Sequence, residues 1–517
     1  MCTKASNLRA RHADLNNATD IVEIEFEGRH VQARRGESLL AALVASGELH
    51  FRSDQTGAPR GPFCGMGVCQ ECLLEIDGLP SQRACMTPVD KPMRIRRQSH
   101  PVSYRPAGSR RHDIGDGDGC ECLTPRVAVI GGGPAGMSAA VLLARAGVEV
   151  VLIDEQSELG GQFYKQPTQA GDLDNRYHVD RQSLEGAALI DELDACGAVV
   201  LRSTTVAGVY EPLDIVVATH GRMRLIRPQL LNVATGAHEI CPPFPGWTLP
   251  GVMTTGAAQT LLRKDRVLAG HRILIAGNGP LNFQVAAELL RAGAREVAVA
   301  EAAPRPSATN LGAILGMMTA SPALAVKGFG YLRALSRPNA RLYYGHQIAW
   351  VDAATEGVSK RLRAGLRIPG DDERANPELL VDTVCVGYGF RPSNEILRAL
   401  GARQTVNPGN GSLDTVCDQN CRTSRSEVFA VGDCTRLRGA HVAKAEGLIA
   451  AGAILEQLGI VPSPEHQEQI KMARSSRARH LRFQKSLWTL FAAEGVQPGV
   501  SSADALVCRC EAIDRDA

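Results

Sequence analysis

Four cysteines within a short stretch constrain this chain more than any other feature. Cys64, Cys69, Cys72 and Cys85 are spaced C-x4-C-x2-C-x12-C, with Gly65 and Gly67 inside the loop and Arg83-Ala84 just before the last thiol. A loop that brings four thiolates together must leave the regular hydrogen-bonding ladder, and glycine permits the backbone angles this needs. The C-x4-C-x2-C core is the plant-type arrangement for a [2Fe-2S] cluster, whereas structural zinc prefers paired C-x2-C hooks. The spacing therefore predicts a [2Fe-2S] cluster on these four residues, with a structural zinc ion as the alternative. The chain has fifteen cysteines in all, an odd number unevenly spread. That distribution suits metal ligands and buried thiols better than a disulfide framework.

Around the cysteines the pattern is one of short strands. Residues 21–26 and 30–33 read as a strand pair turning at Gly28, 39–45 as a helix and 73–76 as a further strand before an Asp77-Gly78 turn. A segment from about 99 to 119, rich in Gly, Asp, Arg and Pro, reads as a linker. Beyond it, strand 126–130, a glycine turn, a helix through Ala146 and strand 149–153 form the βαβ pattern of a parallel sheet. The pattern recurs about 145 residues later as strand 272–276, a glycine turn, a helix to Ala292 and strand 296–300. Residues 382–389 and 427–433 read as late strands returning to the first sheet.

In the first repeat, Gly131-Gly132-Gly133-Pro134-Ala135-Gly136 lies between strand and helix, the context that gives a G-x-G-x-x-G match its meaning. Gly131 serves the tight turn, Gly133 the approach of a pyrophosphate, and Gly136 the packing of helix on strand. Pro134 suits a first helical position. Asp154, followed by Glu155, ends the second strand, where a carboxylate can accept from an adenosine ribose hydroxyl. FAD and NAD share this half, and the fingerprint alone does not choose between them. The later turn reads Gly277-Asn278-Gly279-Pro280-Leu281-Asn282. Asn282 stands where close packing wants glycine, and the expectation is a helix pushed off its strand and a crowded phosphate path.

A net charge of +2 gives no electrostatic case for nucleic acid or anionic membrane. No run reaches membrane-spanning length and the first twenty residues are polar, so a cytoplasmic location without a transmembrane segment is expected. Residues 471–482 are strongly basic and 487–491 apolar, which predicts an amphipathic helix packed on the body or on a partner.

Further marks carry a resemblance. Gly160-Gly161-Gln162, Val233-Ala234-Thr235-Gly236 and Val428-Phe429-Ala430-Val431-Gly432-Asp433 resemble the marks of two-dinucleotide-binding flavoproteins such as thioredoxin and glutathione reductases. With Asp154-Glu155-Gln156, the run from Pro242 to Gln259, and Gly387-Tyr388-Gly389-Phe390-Arg391-Pro392, the chain resembles the α (A) subunits of heteromeric bacterial amine and amino-acid dehydrogenases of the opine oxidase, hydrogen cyanide synthase and sarcosine oxidase type. The resemblance implies an α/β, Rossmann-like two-dinucleotide-binding flavoprotein with an N-terminal β-grasp [2Fe-2S] domain.

It implies the following division: 21–98 ferredoxin-like; 99–123 linker; 124–265 with 376–460 binding FAD; 266–375 a second, NAD-like domain; 461–517 a helical tail with part of a Cys-rich segment at Cys508-Arg509-Cys510-Glu511. FAD would lie on Gly131, Gly133, Pro134, Ala135, Gly136, Asp154, Glu155, Gly161, Gln162, Gly236 and Asp433, although some of these α chains hold NAD or ATP there. FMN at an interface between chains is a further cofactor the resemblance allows. By the same resemblance a D-amino-acid-oxidase-like β subunit oxidises the substrate and this chain relays its electrons to an acceptor that the sequence does not name. No amine-handling base or carboxylate clamp is recognisable. The rival readings are a self-contained NAD(P)H-dependent flavin/iron-sulfur reductase and a scaffolding subunit whose nucleotide is structural.

Overall fold

The structure is a computed structural model, and it describes residues 8–10, 20–98, 122–168, 181–219, 221–354, 361–369, 377–493, 505–507, 509 and 513. Most of the expected linker, and Cys508 and Cys510, lie outside the described residues. Ten helices are named here in chain order: α1 Leu39–Ala45, α2 Pro134–Arg145, α3 Arg181–Ala195, α4 Thr255–Asp265, α5 Pro280–Ala292, α6 Leu311–Ala320, α7 Pro322–Ala334, α8 Glu395–Ala399, α9 Ala440–Gln457 and α10 Pro464–Leu490.

The N-terminal unit is a five-stranded sheet in the order Arg29–Arg34, Ile21–Phe26, Arg94–Arg97, Leu73–Ile76, Leu79–Arg83. Alternation in Ile21–Phe26 sends Val22, Ile24 and Phe26 inward, and they meet α1, every residue of which is buried. Ser38 caps α1 by accepting from the Ala41 N–H, and its hydroxyl donates to Asp265 at the end of α4. The same core runs on through Leu261 and Ile273 to Leu289, so the cysteine-bearing unit is packed onto the rest of the chain.

Two parallel sheets follow. The first has the order Val199–Leu201, Val150–Ile153, Val127–Ile130, Leu230–Val233, Val428–Ala430, with α2 and α9 packed together beside it. Its four inner and distal strands, from Val150–Ile153 to Val428–Ala430, are buried on both faces and so read as apolar runs, while the edge strand Val199–Leu201 is partly exposed. The second has the order Val252–Thr254, Thr383–Gly387, Arg272–Gly277, Glu296–Glu301, Ala340–Tyr344. Here one expectation is corrected. Strand Thr383–Gly387 does not return to the first sheet; it pairs in parallel with Arg272–Gly277 on one side and Val252–Thr254 on the other. Only Val428–Ala430 closes the first sheet. Both strands are short and wholly buried, and nothing in such a run encodes which of two parallel edges it joins.

Candidate redox site

The cysteine loop is organised by local hydrogen bonds. Gly65 and Gly67 take φ of +63° and +87°, and the Arg83 guanidinium donates to the Gly67 carbonyl across the loop at 2.9 Å. Cys64 Sγ accepts from the backbone N–H of Met66 at 3.5 Å and of Cys69 at 3.4 Å. Cys72 is tied to the Cys85 turn by the Ala84 N–H, which donates to the Cys72 carbonyl. The four thiols form two close pairs, Cys64 with Cys69 and Cys72 with Cys85, each joined by a thiol hydrogen bond. That bond from Cys69 draws the Cys64 thiol down to about 6, while Cys69 and Cys72 are raised, first by their thiol partners and then by burial.

Four thiolates in two pairs are the donor set a two-iron cluster takes, two to each iron, and the residues present fit [2Fe-2S].

At the first glycine turn the backbone is locked. Gly131 has φ +110°, and a Cβ there would lie 2.3 Å from the Ala234 carbonyl oxygen; a Cβ on Gly136 would lie 1.8 Å from the Gly131 oxygen. Only glycine fits at either position. Gly133 caps α2 and Pro134 opens it, so strand, turn and helix start are formed as the spacing requires. Ala135 is buried beneath Gly447 of α9. Asp154 accepts from the Gly132 N–H at 2.5 Å and the Gln156 N–H at 2.8 Å, and burial raises its carboxyl.

Glu155 is exposed, beside Arg83. Gly161, φ +58°, backs onto Gly133, and Gln162 is exposed next to it. Gly236 has φ +71° and its carbonyl accepts from the Ser393 N–H. Asp433 accepts from the N–H groups of Arg438 and Gly439 at 2.8 and 2.9 Å, which ties it to the start of α9.

The second turn departs from expectation. Asn282 does not crowd a phosphate path. Its side chain is buried and turned toward the sheet, where its amide donates to the Gly387 carbonyl at 3.0 Å and its oxygen accepts from Thr255 Oγ1 at 3.1 Å. Gly277 and Gly387 make the room, since a Cβ on either would meet Asn282 within 2.6 Å. Glu301, the last residue of its strand, accepts from Gly279 N at 3.1 Å, Asn278 Nδ2 at 2.8 Å and Ala303 N at 3.0 Å. The turn is covered by the end of α10: the Trp488 ring lies over Gly279, and Asn278 donates to the Phe491 carbonyl at 3.0 Å.

Cluster loop and first turn meet. Gln156, two residues beyond Asp154, donates to Met86 Sδ at 3.2 Å, and Met86 adjoins Cys85. On the other side the Thr254 N–H donates to the Phe63 carbonyl at 2.8 Å, and Gly65 rests on Ala257 of α4. Arg509 stacks over Phe63, 3.9 Å from its ring centre, and pairs with Glu71.

Two residues not foreseen stand between these parts. Lys165 is buried, donates to Gln259 and is pushed down to about 8 by burial; Glu239 accepts from the Gly256 N–H and is pushed up to about 7, again by burial. Both titrate near neutrality and lie within each other's field. The only sequence signal was their place just after Gly160-Gly161-Gln162 and Val233–Gly236.

The comparisons agree with this geometry. Residues 19–100 match the 2Fe-2S iron-sulfur cluster binding domain, and 125–321 with 343–447 match the pyridine nucleotide-disulphide oxidoreductase family. Hydrogen cyanide synthase of Pseudomonas aeruginosa is similar through two of its components. HcnB is 33% identical over 75% of this chain and 83% of its own length, and HcnA 43% identical over 15% of this chain and 74% of its own. The α (A) subunit of opine oxidase from Agrobacterium tumefaciens is 30% identical over 74% of this chain and 76% of its own. The crystal structure of L-proline dehydrogenase from P. horikoshii superposes with a TM-score of 0.63, 19% identity, and coverage of 90% of this chain and 79% of that one, which shows a shared fold. The chain is an FAD-dependent oxidoreductase with a [2Fe-2S] domain, and it belongs to the pyridine nucleotide-disulphide oxidoreductase family, in the group of HcnB and the opine oxidase α (A) chains.

Proposed function

We propose that this chain is the electron-relay component of a multi-subunit amine or amino-acid dehydrogenase, receiving electrons from a D-amino-acid-oxidase-like partner and passing them to an acceptor. The single observation that carries the reading is the seating of the cluster loop against the first dinucleotide turn through Met86 and Gln156. A flavin bound there can take two electrons, and a [2Fe-2S] cluster hands them on singly.

The chain's own groups serve that task. Cys64, Cys69, Cys72 and Cys85 would hold the cluster, and the Met66 and Cys69 N–H groups on Cys64 help set its potential. Gly131, Gly133 and Gly136, with Asp154 and Asp433 at either end, would seat FAD. Lys165 Nζ and Glu239, both titrating near neutrality, can each hold or release a proton beside the site. The division at 21–98, 99–123, 124–265 with 376–460, 266–375 and 461–517 belongs to the same proposal, except that strands Val252–Thr254 and Thr383–Gly387 go with the second domain, whose sheet they join.

Both named relatives are subunits of larger enzymes, which supports a partner that performs the amine chemistry. The substrate proposed is an opine, or a proline-, glycine- or sarcosine-type compound. The self-contained NAD(P)H reductase has one observation in its favour, Glu301 at the strand end where a ribose would be read; Trp488 over the same turn weighs against it. The test is co-expression with the oxidase-like subunit. Dye-linked oxidation of these substrates should require both chains, and turnover by this chain alone at the rate of the complex would overturn the proposal.

A further inference from the structure

Helices α6 and α7 form a hairpin whose inner side is already used. Met317, Ala320 and Ala325 pack on Phe483 of α10. Its outer side is apolar and open. In α6, Leu311, Leu315 and Met318 recur at i, i+4 and i+7, one face of the helix, and all are exposed. In α7, Val326 and Phe329 are 62% and 51% exposed, with Leu332 beside them. An apolar surface of this kind on a folded protein marks an interaction site rather than chance exposure. The match to the common oxidoreductase family covers 125–321 and 343–447 and leaves α7 outside it.

Charge defines what can cover it. From Ala302 to Val351 there is no Asp or Glu, while Arg305, Lys327, Arg333, Arg337 and Arg341 fall within that span. The adjoining α10 carries six cations and no acid from Lys471 to its end, and its Arg482 and Lys485 line the groove against Gly312 and Gly316 of α6. A second copy of this chain would set cations against cations. The fitting occupant has an apolar centre and an acidic rim. The hairpin also stands near the first dinucleotide site. Lys327 bears on His441 at the start of α9, His441 stacks on His480 of α10 at 4.8 Å, and Gln484 packs on Gly439, whose N–H donates to Asp433.

We infer that the outer face of the α6–α7 hairpin, rimmed by the cations of α10, is where the oxidase-like partner docks. This rests on the relay function proposed above. Docking here seats the electron donor at the Asp433 end of the flavin-binding turn, which a relay requires.

The test uses the full chain co-purified with its D-amino-acid-oxidase-like subunit. Leu315→Asp with Phe329→Asp should weaken the complex about 100-fold with flavin and iron content unchanged, because truncating or charging a central apolar anchor dominates such interfaces. Leu79→Asp, at an exposed apolar site on the cluster sheet, should leave affinity as in the wild type. Arg482→Glu with Lys485→Glu should slow association and flatten its salt dependence. Normal affinity of the hairpin variant would overturn the docking site while leaving the relay function standing. Failure of the wild-type chains to associate, with no amine oxidation from the mixture, would overturn the relay and the docking site together. Loss only of binding to phosphatidylglycerol vesicles, with the complex intact, would reassign the face to a lipid surface and overturn the inference.

Discussion

At the first dinucleotide turn the sixth motif position admits no side chain, because a Cβ on Gly136 would lie 1.8 Å from the Gly131 oxygen; at the second turn the same position is Asn282, buried and doubly hydrogen-bonded. At the first turn, among the described residues, a Cβ on Gly133 would meet only Gly161, at 3.9 Å. The second has Trp488 and Phe491 laid over it. Both retain strand, turn and helix in parallel register. The difference teaches that a glycine fingerprint persists as architecture wherever neighbours absorb a change, here through Gly277 and Gly387. Whether such a turn is open to a nucleotide depends on what the remainder of the chain brings across it.

The largest effect should come from breaking that asymmetry at its tightest point. Gly136→Val forces overpacking worth roughly 3 kcal/mol or more, and the purified variant should lack flavin. Asn282→Ala removes two hydrogen bonds from the second turn, should cost about 1–3 kcal/mol in thermal unfolding, and should keep a full flavin spectrum. Flavin retained in the first variant and lost in the second would invert the comparison.

An intermediate effect concerns the acids that end the two second strands. Burial pushes the Glu301 carboxyl up to about 7, against 4.5 for an ordinary glutamate. A raised carboxyl means the folded state holds the proton more tightly than the unfolded chain. Its contribution is therefore complete below pH 4.5 and lost as pH rises through 7, a change of about 3 kcal/mol. Glu301→Gln should remove this slope, so the variant gains stability over the wild type between about pH 5 and 8, read as a rising difference in melting temperature. A constant difference across that range would show that Glu301 is already ionised in the folded chain at its acid end.

The smallest effect belongs to the aromatic cover. Trp488 is 42% exposed, and Trp488→Ala should cost only about 1 kcal/mol while leaving flavin and iron in place. A loss of flavin in this variant would mean that α10 supports the first turn as well.

The candidate site was readable as a proposal because its chemistry requires particular residues at fixed spacing. The four thiols, the glycines at 131, 133 and 136, and the acid at 154 are separated by distances along the chain that local geometry imposes. The first strand pair and α1 were readable from the pattern in residues 21–45, while the β-grasp arrangement came from the family resemblance. What was not legible depends on tertiary choice. Strand Thr383–Gly387 joins the second sheet by pairing with residues more than a hundred positions away. Asn282 is harmless only because two distant glycines leave it space. The basic stretch of α10 was recognisable as an amphipathic helix, but its landing on Gly279 was not, since Trp488 and Gly279 lie far apart in sequence. Lys165 and Glu239 gain their character from burial alone.

The central claim is that electrons enter by the first turn from a partner and not from a pyridine nucleotide at the second. The most direct measurement is anaerobic stopped-flow mixing of the isolated flavin- and iron-loaded chain with NADH and with NADPH, following the flavin and cluster bands. The account predicts that both bands persist with either nucleotide, and that they bleach when the chain is mixed with the amine substrate and its oxidase-like partner. Rapid bleaching by NADH or NADPH in the isolated chain would contradict it.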